Sequence, residues 1–91
     1  MIENILIKIE EIVRIIYTPD LTGFQEAYLS LLDAFSEFLT DMDAKGYIVD
    51  INKELQSIQE AMNKNDRVLL ADILLYTIKP DFISLREEMN A

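Results

Sequence analysis

Neither cysteine nor histidine occurs in this chain. The first absence removes disulfides and thiolate chemistry and leaves the redox compartment open. The second removes the side chain that ordinarily titrates near neutral pH, so acid–base catalysis would fall to a tuned carboxylate. A catalytic transition-metal site would likewise need carboxylates alone, an uncommon ligand set. With two glycines and two prolines there is little material for long loops or tight hairpins. No glycine-rich phosphate loop and no nucleophile elbow is present. Basic residues are outnumbered 8 to 17 by acids, for a net charge of −9. They are also scattered singly (Lys8, Arg14, Lys45, Lys53, Lys64, Arg67, Lys79, Arg86). Nucleic acid and anionic membrane surfaces both select clustered cations, so neither is an expected partner.

Export and membrane signals are missing too. The isoleucine-rich start is interrupted by Glu3, Lys8, Glu10, Glu11 and Arg14, and it lacks the basic segment, uncharged core and small-residue cleavage site of a leader. No apolar run approaches the roughly 18 residues that span a bilayer. The expected location is cytoplasmic.

What the chain does contain is an apolar beat of alternating threes and fours, restarted four times. The sets are Ile2, Ile5, Ile9, Ile12, Ile16; then Phe24, Tyr28, Leu31, Phe35, Phe38, Met42; then Ile48, Ile51, Leu55, Ile58, Met62; then a denser run from Val68 to Met89. Such spacing puts each set on one face of a helix. Apolar residues make up 51% of the 91 and charged residues 27%, too hydrophobic for a disordered chain. The length suits one domain with a radius of gyration of roughly 12 Å if compact. Connections are short, which forces sequential helices to pack as antiparallel neighbours. The predicted fold is all-α, an up-and-down four-helix bundle in a single domain, 1–91.

The first helix covers about 2–16, with Glu10 and Arg14 placed to pair across one turn. Its many β-branched residues lower intrinsic propensity, so packing must hold it. Thr18 and Pro19 end it. Thr22 with Gln25 reads as a capping box for the second helix, or Thr18 is the cap and Pro19 its first helical residue. That helix runs to about Ala44 with Gly46 as a left-handed C-terminal cap, and it buries Leu32 and Leu39 beside the strict set. The third helix starts at Tyr47 or Asp50 and ends near Met62. Asn65 or Asp66 caps the fourth, which begins at Arg67. Pro80 lies inside it and removes the hydrogen bond to the Tyr76 carbonyl, so the helix is either kinked there or broken at Lys79.

Three features invite a chemical reading. Asp41 to Asn52 resembles an EF-hand calcium loop, with Asp41 and Asp43 at positions one and three, Gly46 at six and Ile48 at eight. Lys45 at position five and Asn52 at twelve both remove negative charge, so a glycine-capped helix end is the reading for this segment. Asp33, Glu37 and Asp41 line one helix face, but without histidine they match no di-iron pattern and read as a solvated face. Asp72 sits either at the rim of the core, paired with Lys79 or Arg67, or in solvent. The four tyrosines, 17, 28, 47 and 76, stand near helix ends or beside apolar stripes, where the ring is normally buried and the hydroxyl wet. No catalytic, cofactor-binding or metal-binding residue is assigned.

The stretch Asn65-Asp66, Leu70-Ala71-Asp72-Ile73-Leu74 and Tyr76 to Pro80 resembles a segment of small acidic helical proteins of Gram-positive bacteria. Those read Asn-Asp, then Leu-Ala-Asp-x-Leu, then Tyr-x-x-x-Pro, and some are encoded near motility genes. The expected bundle is also similar to flagellar export chaperones, which hold an amphipathic client segment in a helical groove, although this chain is shorter than they are. The resemblance covers only this stretch and implies a bacterial cytosolic binding protein.

Surplus apolar surface points the same way. Ile7 and Ile15 lie off the main stripe of the first helix, Leu29 off that of the second, and Leu75 and Ile83 widen that of the fourth. These five are the candidate interface for a protein partner's amphipathic segment or for a homodimer. The expectation is a non-enzymatic interaction module, with no cofactor. Two alternatives are a metal- or ligand-responsive regulator built on Asp41 to Asn52, and an acidic mimic of nucleic acid. Millimolar calcium is expected to leave the melting temperature unchanged; a rise would favour the regulator.

Overall fold

A computed structural model describes residues 1–90. Four helical rods form an antiparallel bundle about 41 Å long and 20 Å across. The elements are α1 (Ile2–Ile16), α2 (Phe24–Ala44), α3 (Asn52–Asn63), α4 (Arg67–Ile73), a π-helical turn (Leu74–Ile78) and α5 (Lys79–Met89). The last three follow one another without a gap and make a single C-terminal rod. The radius of gyration, 13.2 Å, exceeds that of a compact sphere because the 21-residue α2 stretches the molecule.

The heptad reading holds closely for α1. Ile2, Ile5, Ile9, Ile12 and Ile16 are its buried residues. In α2 the set holds except Tyr28, which is half-buried. The core draws on all four rods, and among the described residues it contains no polar or charged side chain.

Backbone separation follows side-chain size. α1 packs closely on α2 and on the C-terminal rod, and α3 packs closely on that rod. Buried alanines at 27, 34, 61 and 71 leave room for short interaxial distances. No Cα of α2 comes within 8 Å of one in α3 or the C-terminal rod. That wider gap is filled by rings: Phe82 stacks on Phe35 at 5.7 Å and meets Phe38 edge-on at 5.4 Å. At the other end, the Arg67 guanidinium lies 5.1 Å from the centre of the Phe24 ring.

Pro80 neither breaks the helix nor stands in a regular one. The Lys79 amide bonds back five residues to Leu74 rather than four. This widened turn lies immediately before the proline, where a regular helix would place the Tyr76 carbonyl against its ring. The row Leu70, Leu74, Ile78, Phe82, all buried, advances by fours. In a regular α-helix each such step drifts by about 40°. A turn holding one more residue takes back part of that drift, so the apolar spacing does not by itself keep regular helical phase.

Caps depart from expectation in places. Gly46 closes α2 as expected, with φ +84. Its amide bonds to the Asp43 carbonyl and that of Tyr47 to Met42, a Schellman motif. The same motif recurs at Asn65, φ +53, where the Asn65 and Asp66 amides bond to Met62 and Ala61. Asp66 then caps α4 by accepting from the Leu69 amide at 2.9 Å. The Asn-Asp pair thus ends one helix and starts the next. Neither threonine cap for α2 forms. Gly23, with φ +81, occupies the N-cap position without a side-chain bond, and the Thr18 hydroxyl donates to the Arg14 carbonyl of α1. Nor does α3 begin at Tyr47 or Asp50: it starts at Asn52, whose amide bonds to the Asp50 carboxylate. Ile48, assigned by spacing to the third stripe, lies outside the helix and is fully exposed.

Phe82 is the side chain through which the rod grips α2. Phe82→Ala is expected to cost about 3–5 kcal/mol, a large part of the stability of a domain this size, measured by urea denaturation with helicity as the readout.

Candidate functional site

Two ion pairs mark the antiparallel register of α1 against the C-terminal rod. Lys79 Nζ lies 3.0 Å from Glu10 Oε1, and Arg86 Nη1 lies 3.4 Å from Glu3 Oε1. Glu10 therefore pairs across helices rather than with Arg14. A hydrogen bond from a backbone amide, and then Arg86, hold the exposed Glu3 carboxyl below its ordinary range.

Between the two pairs the charge stops. Ile7, between Glu3 and Glu10, is 61% exposed, and the antiparallel register places it level with Phe82 and Ile83. Half-buried Leu75 and Ile83 join Tyr76, Lys79, Pro80 and Ser84 around a shallow groove of about 560 Å³. Tyr76 is 76% exposed. Three of the five sequence-derived interface residues, Ile7, Leu75 and Ile83, thus share the flank where α1 meets the rod. Leu29 is 51% exposed on α2, which does not form this seam. Ile15 is half-buried, and its Cδ1 lies 4.0 Å from where a Cβ on Gly23 would stand, at the α1–α2 connection.

The opposite seam, where α3 meets α5, differs. A cleft of about 260 Å³ is lined by Asp50, Ile51, Glu54, Asp81, Phe82, Ser84, Leu85 and Glu88. Four of these are acids and none is basic. One Glu54 carboxyl oxygen is buried without a hydrogen-bond partner. Burial pushes the Glu54 carboxyl above the usual glutamate range. Asp81 adds to the rise, while a hydrogen bond from the Glu54 backbone amide and the charge of Lys53 pull the other way. Nothing in the heptad reading singled out this pair. Its sequence signal was the position of Glu54 one residue before the Leu55 stripe, meaningful only once α5 is laid alongside.

The other candidates resolve simply. Asp41 pairs with Lys45 at 2.9 Å, so position five of the calcium-like loop places an ammonium on the first ligand. Among the described residues no group of three or more acids is arranged to hold a metal ion. Asp33, Glu37 and Asp72 are exposed, and Asp72 pairs with neither Lys79 nor Arg67. Of the four tyrosines only Tyr28 is half-buried, its ring stacked on Phe24 at 6.3 Å, and burial pushes its hydroxyl pKa up rather than leaving the hydroxyl freely solvated. Tyr17, Tyr47 and Tyr76 stand largely in solvent.

A family model described as a domain of unknown function, DUF8042, matches residues 1–88, almost the whole chain. The chain belongs to that family. No curated protein matches it, and no solved structure does. Among the described residues, no helix is long and apolar enough to cross a membrane.

Glu54 gives the molecule a pH signature. Its folded-state pKa is raised, so the native state binds more protons than the unfolded state between the ordinary and raised values. Stability therefore falls as pH rises through that window, and the full cost is present above it. Glu54→Gln is expected to raise the melting temperature at pH 7. The gain should vanish once the pH is low enough to protonate glutamate in both states, and a gain unchanged by acidification would contradict the assignment.

Proposed function

We propose that this chain is a non-enzymatic helical protein-interaction module whose contact surface is the flank shared by α1 and the C-terminal rod. The observation that supports this reading most directly is the exposure of Ile7 and Tyr76 beside half-buried Leu75 and Ile83. The core is apolar throughout without them, so their apolar surface is surplus to folding. The lack of histidine and cysteine leaves no ordinary acid–base or thiolate chemistry for an enzyme.

The occupant this flank fits best is a second copy of the chain. Its borders carry both signs of charge, Glu3 and Glu10 with Lys79 and Arg86. A two-fold contact sets one patch against itself, and mixed signs can then pair across the axis. An amphipathic segment of another protein, held as a chaperone holds its client, is the other occupant such a strip accepts.

Sedimentation equilibrium over a wide concentration range tests the reading. A mass above the monomer is expected, returning to the monomer in the Ile7→Glu, Ile83→Glu double variant while far-UV circular dichroism is unchanged. Association that survives both substitutions would remove this flank as the contact surface. A wild-type chain that stays monomeric would remove the second copy as its occupant.

A further inference from the structure

Burial along the C-terminal rod keeps a different beat from that of α1. In α1 the buried residues advance by alternating threes and fours, from Ile2 to Ile16. In the rod the buried residues Leu70, Leu74, Ile78 and Phe82 advance only by fours, and half-buried Leu85 and Met89 then resume three and four. A regular α-helix, at about 100° per residue, would set Leu70 and Phe82 about 120° apart around its axis. With one residue fewer between them the angle falls to about 20°. Taken out between Leu74 and Ile78, that one residue would leave the whole row to Met89 stepping by alternating fours and threes. The rod therefore holds one residue more than a regular helix needs to bury this row, and the wide turn Leu74–Ile78 accommodates it. Within that turn Leu75 is half-buried, while Tyr76 and Thr77 are exposed. Of the exposed two, Tyr76 borders the groove with Leu75, Pro80 and Ile83. None of Leu75, Tyr76 and Ile83 is among the side chains packed on the buried core.

We propose that Tyr76 is a residue carried for contact rather than for folding, the anchor by which two copies of the chain associate. In the associated pair the Tyr76 ring of each copy seats in the groove of the other, against Leu75, Pro80 and Ile83. A two-fold contact sets one patch against itself, so a knob beside a groove is used twice. Tyrosine suits the role because its ring brings a large rigid apolar face while its hydroxyl stays wet at the rim. Charge favours a second copy as the occupant. Glu3 and Glu10 border the flank on α1, and Lys79 and Arg86 border it on the rod, so opposite signs meet when the patch is turned onto itself. The inference rests on the reading of this flank as the contact surface and names the residue that makes it one.

Sedimentation equilibrium and thermal melting of the full chain test it in three variants: Tyr76→Ala, Ile7→Glu with Ile83→Glu, and deletion of Tyr76 combined with Pro80→Ala. The deletion needs the proline replaced, because a regular helix would set a carbonyl against its ring. Melted below the concentration at which the wild type associates, the deletion variant is expected to keep wild-type helicity and a melting temperature no lower than wild type. Tyr76→Ala and the deletion should each weaken self-association about tenfold or more, as truncation of an aromatic anchor does. A deletion variant that unfolds or melts well below wild type would show that the extra residue serves the fold, and would overturn the proposal. So would Tyr76→Ala associating as tightly as wild type. Were association lost in Ile7→Glu, Ile83→Glu but kept in Tyr76→Ala, the anchor alone would fall and the flank would stand. A wild-type chain that stays monomeric would remove the flank contact and the anchor together.

Discussion

Proline 80 imposes the constraint on which this fold turns. It lacks an amide hydrogen and its ring needs the space of the carbonyl four residues back, yet the residues after it must continue the rod. Phe82 has to reach Phe35 and Phe38 across the bundle, and Arg86 has to reach Glu3. The turn from Leu74 to Ile78 resolves the conflict by taking one more residue before the proline. The rod therefore continues past Pro80 and touches all three other helices: α1 and α3 by close approach, α2 through phenylalanine rings.

Widening that turn also shapes the surface. Leu75 and Tyr76 lie within it, and Pro80 just beyond. Together with Ile83 they form the shallow apolar groove beside Ile7. The feature that keeps the core continuous is thus contiguous with the most exposed apolar part of the bundle's flank. Helical irregularities of this kind recur at functional sites.

Charge is arranged as unevenly as apolar surface. The seam between α1 and the rod carries two ion pairs, each with a solvent-exposed glutamate and so screened by water. They report the register of the two rods rather than hold the fold, which rests on an apolar core. The seam between α3 and α5 carries acids alone. One rod thus presents a neutralised face to one neighbour and an unneutralised face to the other. Burial and Asp81 together raise the Glu54 carboxyl above its ordinary range, so this seam costs stability at neutral pH where the other does not.

Local chemistry made much of this legible in the sequence. The isoleucines of α1, the glycine closing α2 and the aspartate starting α4 each act through neighbours within a few residues, which is the range that spacing and capping rules describe. Ile48 was misplaced because its spacing matched a helix whose start is set instead by the Asp50 carboxylate and the burial of Ile51. Cap assignment failed at Thr22 for a similar reason, since Gly23 in a left-handed conformation took the position.

Helix number, antiparallel order and the buried stripes of α1 and most of α2 were therefore determined by the amino-acid order alone, because periodic burial and short connections admit few other arrangements. In the third stripe, by contrast, only Ile51 and Ile58 are buried. The tertiary structure alone decided that Glu10 pairs with Lys79, that Ile7 shares a flank with Ile83 and Leu75 while Leu29 does not, and that Glu54 faces Asp81. These are contacts between residues far apart in the chain. Their existence depends on the rotation and register of one rod against another, and both are fixed only when the phenylalanines between α2 and α5 and the widened turn before Pro80 are packed in place.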